Sequence, residues 1–231
     1  MGMSGRPPTP GLSGSTAKLF GDNTSFSANL EMQTTGGQGT MTMPGKIFFD
    51  EGKSRFEMDM AQIKGGMMSP QMAVQMKSIG MDKTIVISRP DKKVAYQIYP
   101  GMQAYLETPS ADPESSVPAA DFKLEVTEVG KETVDGHPCI KNKAVVTDKE
   151  GTRHESLVWN ATDLKKFPLK IEQSEEGAKI TMLFRDVSLS KPAAGLFDPP
   201  SDATRYDSMQ SMMQQVIMKR MGGGGPPTQG Q

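Results

Sequence analysis

Alternating apolar and polar residues dominate this chain and predict a succession of β-strands. In residues 54–60 the side chains of Phe56, Met58 and Met60 share one face of the predicted strand, and charged residues share the other. This period of two is typical of an antiparallel strand with one buried and one solvated face. The other segments predicted as strands are residues 26–34, 41–49, 84–88, 94–99, 122–127, 139–147, 154–160, 169–173 and 179–188.

Helical spacing of apolar residues replaces this alternation in two segments. Ser69 is a candidate N-cap with Pro70 at the first helical position, and Gly80 follows the last apolar residue, which predicts a helix between them. A second helix is predicted over residues 207–221, where methionines form one stripe and basic residues occupy the last turn. A short helix near residues 15–20 would be the third.

The remaining segments set the domain boundaries. Residues 1–16 and 222–231 are rich in Gly, Pro, Ser and Thr and are predicted to be a disordered lead and tail. The polar, Pro-rich segment 106–121 is predicted to be a loop. We therefore expect one domain over residues 17–221, including the C-terminal amphipathic helix.

Short connections between the predicted strands favour an antiparallel meander. A sheet of about ten strands tends to curl or close on itself. The predicted fold class is mainly β (α+β), a strongly curved antiparallel sheet or half-open β-barrel of about ten strands with two or three covering helices.

Composition excludes several classes of function. The net charge of −1 shows no electrostatic footprint for nucleic acid, and no apolar run reaches the length of about 20 residues that a membrane-spanning helix needs. The single cysteine, Cys139, rules out an intramolecular disulfide, which is compatible with either a reducing or an exported location. No signal peptide is present in the sequence, and this leaves export open.

Methionine is the most informative part of the composition, because the chain contains 19 methionines and 14 of them fall in two groups, over residues 41–81 and 209–221. The thioether side chain is polarizable and adaptable, and it suits an apolar surface that must fit variable partners. We therefore predict an apolar cavity between the sheet and the methionine-rich helices. The residues predicted to line it are Phe56, Met58, Met60, Met68, Met72, Met76, Ile79 and Trp159.

A family resemblance supports this interpretation. The motifs that carry it are, in order, KSRFEM at 53–58, TIVIS at 84–88, PDKK at 90–93, YQIYP at 96–100, GKETVDGHPC at 130–139, LVW at 157–159 and LFDPP at 196–200. Over residues 25–201 the chain resembles the LolA-like superfamily of lipoprotein carriers, and more narrowly a DUF4412-like domain family within it. The resemblance implies a half-open barrel with a helical lid, an apolar interior that holds acyl chains, and a periplasmic or otherwise exported location.

Candidate catalytic residues are few. His137 lies in a turn-like Gly-His-Pro, His154 begins a strand beside Glu155, and Cys139 has no partner base nearby in the sequence. Phosphate-binding glycine motifs and zinc-ligand spacings are absent from the sequence. We therefore predict a non-enzymatic protein without a cofactor.

The leading hypothesis is an exported protein that binds a lipid, an acyl chain, a lipoprotein or another apolar ligand, as a carrier or a sensor. Two alternatives remain. Thioethers are soft ligands that favour Cu(I), and Met41 with Met43 and Met58 with Met60 place two sulfurs on one side of a strand. The C-terminal helix is also suited to docking into a groove of a protein partner.

Overall fold

The predicted strands pair into one large sheet. The computed structural model describes residues 12, 14–37, 39–66, 69–110, 121–175 and 177–221. The strands are β1 Ser25–Gly36, β2 Gly39–Asp50, β3 Lys53–Asp59, β4 Lys64–Gly65, β5 Lys83–Arg89, β6 Val94–Tyr99, β7 Ala104–Pro109, β8 Lys123–Val134, β9 His137–Thr147, β10 Arg153–Ala161, β11 Pro168–Glu175, β12 Ala178–Ser188 and β13 Thr204–Tyr206. The helices are α1 Gly14–Lys18, α2 Pro70–Ile79 and α3 Met209–Met221.

The order of strands across the sheet is β13-β7-β6-β5-β3-β2-β1-β12-β11-β10-β9-β8, with β4 paired to β2. All of these pairs are antiparallel except that of β13 with β7. The sheet is curved and open. The fold class predicted from the sequence, a half-open barrel that is mainly β, is therefore confirmed.

The strands outnumber the prediction of about ten. Strand β7 extends into the segment predicted to be a loop, since it ends at Pro109. Strands β4 and β13 have two and three residues, too few for an alternating pattern to reveal them. Of the predicted loop 106–121, residues 111–120 lie outside the described residues.

The two faces of the sheet carry different side chains. Because residues directly opposite each other share a face, Phe56 of β3, Ile47 of β2 and Ala28 of β1 lie side by side on what we call the inner face. Arg55 and Ile87 lie on the other, outer face. Helix α1 contacts β9 from the inner side, and Phe20 just after it contacts β1 and β2. The inner face is therefore the one that α1 and Phe20 cover.

A cluster of aromatic rings fills the inner face around Phe20. Its ring centroid lies 4.8 Å from that of Phe26, 5.4 Å from Phe167 and 5.5 Å from Phe184. All four rings are at most 2% exposed. Helix α1 begins at Gly14, inside the predicted 1–16 lead, and residues 1–11 lie outside the described residues.

A second apolar cluster lies on the outer face, where Ile87, Tyr96 and Ile98 are covered by Phe197. Arg89 holds this covering segment in place. Its guanidinium donates hydrogen bonds to both carboxylate oxygens of Asp91, at 2.9 and 2.8 Å, to Asp198 at 2.6 Å and to the Phe197 carbonyl at 3.0 Å. We call residues 194–198 with Arg89 the clasp.

Helix α2 ends as the sequence predicts. The Ser69 hydroxyl accepts a hydrogen bond from the Met72 amide at 3.2 Å, and Gly80 adopts a left-handed φ of 82° at the C-terminal end. Helix α3 begins at Met209, two residues later than predicted.

Candidate functional site

An open strip runs along the inner face between two buried regions. The row Phe56–Val86–Gln97–Leu106 crosses strands β3, β5, β6 and β7, each residue opposite the next. Phe56 and Leu106 are 1% and 7% exposed, whereas Val86 is half-buried and Gln97 is exposed. Exposure therefore rises in the middle of the row. We call the inner face at Val86 and Gln97, together with the neighbouring half-buried Met58, the open strip.

The wall on one side of the open strip is the Phe20 cluster. Phe56 belongs to this cluster and Met58 packs against its edge. The Phe56 ring also covers Gly45, where an added Cβ would lie 2.5 Å from a ring atom. Phe56 therefore seals the filled interior, and the space open to a ligand begins beyond it.

Helix α3 forms the other wall. Its Met212 is fully buried against Tyr99, Ala104 and Leu106 on the inner face of β6 and β7. Burial raises the pKa of the Tyr99 phenol to about 12, so this surface stays uncharged. On the same helix Met209 and Met218 are 36% and 68% exposed. Docking of this helix into a partner protein stays a prediction.

Helix α2 lies at one end of the open strip. It contacts the turn Met60–Gln62 that follows β3, and Gly80 at its end lies against Gly101 in the turn between β6 and β7. Met72 and Val74 of this helix are 48% and 70% exposed. Positions two apart on a helix do not share a face, so Met72 and Val74 are two separate exposed side chains and not one apolar patch.

The structure places only some of the predicted lining residues at the open strip. Phe56 and Met58 lie at the open strip. Met60 lies in the turn after β3, and Met72, Met76 and Ile79 lie on α2 near the end of the strip; Met60, Met76 and Ile79 are half-buried. Met68 lies outside the described residues. Trp159 is not brought together with the others. A ligand-binding role for any of these residues stays a prediction.

Trp159 lies on the outer face of β10. Its neighbour Val158 points to the inner face, opposite Ile171 and Asn142. The Trp159 indole Nε1 donates a hydrogen bond to Glu132 at 2.8 Å. The ammonium groups of two lysines, one on each neighbouring strand, lie 4.8 and 4.2 Å from its ring centroid. The ring is 2% exposed because these long side chains cover it.

Two pockets on the outer face carry charged side chains among their lining residues. One, of about 520 Å³, is lined by residues that include Lys46, Glu57, Asp59 and Arg185. The other, of about 480 Å³, lies over Glu31, Lys170, Glu172 and Lys179. Charged side chains in both linings oppose the transfer of an apolar chain from water, whereas the first pocket also carries Pro44, Ile85 and Pro100.

His137 and Cys139, two of the candidate catalytic residues, make hydrogen-bond contacts within the sheet and its turns. The His137 imidazole Nδ1 lies 2.8 Å from the Asp163 carboxylate, and the Cys139 thiol donates to the His137 carbonyl at 3.4 Å. Among the described residues, no group of three or more His, Cys, Asp or Glu is placed to hold a metal ion. Within the same ranges, no helix combines the length and apolar character needed to cross a bilayer.

The reactivity of the Cys139 thiol tests whether this residue of β9 is buried. Burial raises the pKa of its thiol, and only the thiolate attacks disulfide reagents. We expect the folded protein at pH 8 to react at least about tenfold more slowly than the denatured protein, because little thiolate forms and access is limited. Stopped-flow absorbance with an aromatic disulfide reagent measures both rates, and equal rates would contradict the buried position.

The sequence alone did not identify Val86 and Gln97 as part of the site. The alternation in residues 84–88 and 94–99 shows which residues share a face within each strand. It does not show which strand lies beside which, nor that helix α3 covers β7 and Tyr99 at the end of β6 while Val86 and Gln97 stay more exposed. Those are long-range features of the sheet.

The fold and the open strip define a class, a half-open β-barrel whose inner face is mainly apolar and partly covered by helices. The family model for the domain of unknown function DUF4412 matches residues 26–167, more than half of the chain. The chain belongs to the DUF4412 family, and the narrower family resemblance predicted from its sequence is confirmed.

Solved structures similar to this chain include members of the LolA superfamily, as the sequence resemblance predicted. The LolA superfamily protein NE2245 from Nitrosomonas europaea is 9% identical with a TM-score of 0.40, covering 81% of this chain and 96% of that one. LprF from Mycobacterium bovis is 13% identical with a TM-score of 0.43, covering 84% and 95%. The Pseudomonas aeruginosa MucA/MucB complex is 14% identical with a TM-score of 0.39, covering 82% and 61%. A search of curated proteins returns no match.

Proposed function

We propose that this protein is exported and binds an acyl chain or another elongated apolar ligand along the open strip, as a carrier or a sensor of lipid or lipoprotein. The observation that carries the proposal is the row from Phe56 to Leu106, which is buried at both ends and exposed in the middle. An inner sheet face left open between two packed regions is the ordinary setting of an apolar ligand site.

The helices complete the proposed site. Met72 on α2 and Met209 on α3 are exposed apolar side chains of the two helices near it. Methionine adapts to chains of different length and shape because it has three rotatable bonds and no branching. The site would therefore select ligands by the volume of their apolar part. The Gln97 amide is the polar group on the sheet surface beneath such a ligand.

Burial alone supplies enough free energy for useful binding. An acyl chain of about 14 methylenes gains on the order of 11 kcal/mol at about 0.8 kcal/mol each when it leaves water. Immobilisation removes several kcal/mol of this gain. Micromolar or tighter binding is therefore reachable without a charged contact.

Native mass spectrometry of protein purified from cells and titration with a fluorescent fatty acid test the proposal together. We expect a co-purified lipid and saturable binding. Gln97→Arg places a charge on the floor at an exposed position, so the protein should fold normally while fatty-acid affinity falls at least about tenfold.

Val126→Arg is the matched control, because Val126 is an apolar residue of β8 that is 54% exposed and far along the sheet from the open strip. Its affinity should equal that of the unmodified protein. Absence of both co-purified lipid and saturable binding would reject the proposal. Equal losses of fatty-acid affinity in the two variants would show that the ligand does not bind at the open strip.

A further inference from the structure

The buried methionines are not spread through the core. Among the described residues four methionines are buried, and three of them, Met182, Met32 and Met43, lie directly opposite one another on β12, β1 and β2. We call these three the methionine row. All three lie on the inner face, in the same register as Ile171 on β11. Side chains in directly opposed positions have Cβ atoms about 4.5–5.5 Å apart, so Met32 adjoins both Met182 and Met43, and the two outer methionines would bend inward over Met32 to share one ion.

Two more thioethers adjoin the methionine row. Met41 is two residues before Met43 on the same face of β2. Met58 lies opposite Gly45, which is two residues after Met43 and has no side chain to separate them. Both are half-buried. One end of the inner face therefore gathers five thioether sulfurs from four strands.

Packing alone does not account for this choice of residue. Elsewhere the inner core is built from Phe, Ile and Leu, such as Phe184 and Leu30 in the next register along β12 and β1. Leucine would fill a similar volume with fewer rotamers to fix. What methionine adds at three opposed positions is a set of sulfur lone pairs.

The methionine row also differs from the deep core in its access to solvent. Its members are 7–8% exposed, whereas Ile47, Phe56 and Phe184 are at most 1% exposed. The row therefore lies at the rim of the core, where a small ion can enter and where its charge remains near water.

We propose that the methionine row binds one Cu(I) ion through three thioethers, with Met41 or Met58 as a further ligand. Thioether sulfur is a soft donor that selects Cu(I) over harder divalent ions, and a neutral donor set suits a monovalent cation. The row lies on β12, β1 and β2, whereas the open strip lies on β3, β5 and β6. The three residues of the row do not overlap the open strip, so they are independent of the proposed function; Met58 adjoins both sites.

Anaerobic titration of the full chain with Cu(I), in competition with the chromophoric chelator bicinchoninate, tests the site. We expect the protein to withdraw one equivalent of the metal from the chelator. Met32→Leu, Met43→Leu and Met182→Leu should each weaken binding at least about tenfold, since loss of even an outer-shell partner commonly weakens a metal site about 10–100-fold.

Two further variants serve as controls. Met212→Leu replaces the fourth buried methionine, and Met72→Leu replaces an exposed one on α2; both should bind Cu(I) as the unmodified protein does. Thermal unfolding of every variant shows that it is folded. Failure of the unmodified protein to compete with bicinchoninate or with a weaker chelator overturns the proposal. Full Cu(I) binding by a variant that carries all three substitutions, Met32→Leu, Met43→Leu and Met182→Leu, also overturns it. A loss of Cu(I) binding in Met72→Leu would do the same.

Discussion

Phe20→Ala is expected to lower the free energy of unfolding by about 3–5 kcal/mol, the usual cost of removing a fully buried phenylalanine. Phe20 is 2% exposed and its ring meets those of Phe26, Phe49, Phe167 and Phe184. No smaller neighbour can collapse into the space, because strands from both halves of the sheet hold these rings. Urea unfolding followed by the fluorescence of the single tryptophan measures the loss.

The control for this variant is Val126→Ala, an exposed position where a change within about 0.5 kcal/mol is expected. The comparison also decides where the domain begins. The family match starts at residue 26, after Phe20. If Phe20→Ala leaves stability unchanged, the segment before β1 is dispensable; a large loss makes it part of the folding unit.

Arg89→Met should be the second most damaging change, with a loss of about 2–4 kcal/mol. Removing one partner of a buried ion pair commonly costs 3–5 kcal/mol, and the lower range applies because Asp91 and Asp198 are about half exposed. The variant also leaves the Phe197 carbonyl without its donor. The matched control is Lys123→Met, whose partner Glu125 is exposed, so it should cost less than about 1 kcal/mol.

The clasp also predicts a dependence on pH. The Arg89 hydrogen bond lowers the pKa of Asp91, and the Lys92 hydrogen bond, together with Arg89, lowers that of Asp198. Because both pKa values are below those of the unfolded chain, the stabilisation is complete above about pH 4 and is lost as pH falls through the folded values. Urea unfolding at several pH values should show this loss, and Arg89→Met should reduce it; an unchanged pH profile would contradict the assignment.

Local sequence patterns predicted the local features well. Phe56 and Met58 share the inner face as their spacing indicated, and Ser69 and Gly80 end α2 through the contacts expected of a cap. Trp159 shows that a local pattern does not reveal on which face of the sheet a buried residue lies. Its alternation with Leu157 is real, yet both side chains lie on the outer face, because lysine stems can cover an aromatic ring as fully as a core does.

Long-range pairing accounts for what the sequence did not reveal. The open strip depends on which strands helix α3 covers, and that follows from the parallel pairing of the short strand β13 with β7. Likewise the methionine row joins residues far apart in the chain, and only the register of β1 with β12 aligns them. Alternation fixes a face within one strand but carries no information about its partner.

The position of β1 has a practical consequence for how the domain can be divided. Strands β1 to β7 and β8 to β12 form two meanders, and the pairing of β1 with β12 is the seam between them. A fragment limited to the family match, residues 26–167, retains β8, β9 and β10 but lacks the two strands that connect them to β1. Such a fragment would present two long unpaired strand edges and an uncovered apolar face, which is the situation that leads to aggregation. Expression and domain-transfer experiments should therefore treat the chain from α1 through α3 as the smallest unit, because β13 belongs to the sheet and Met212 of α3 is fully buried.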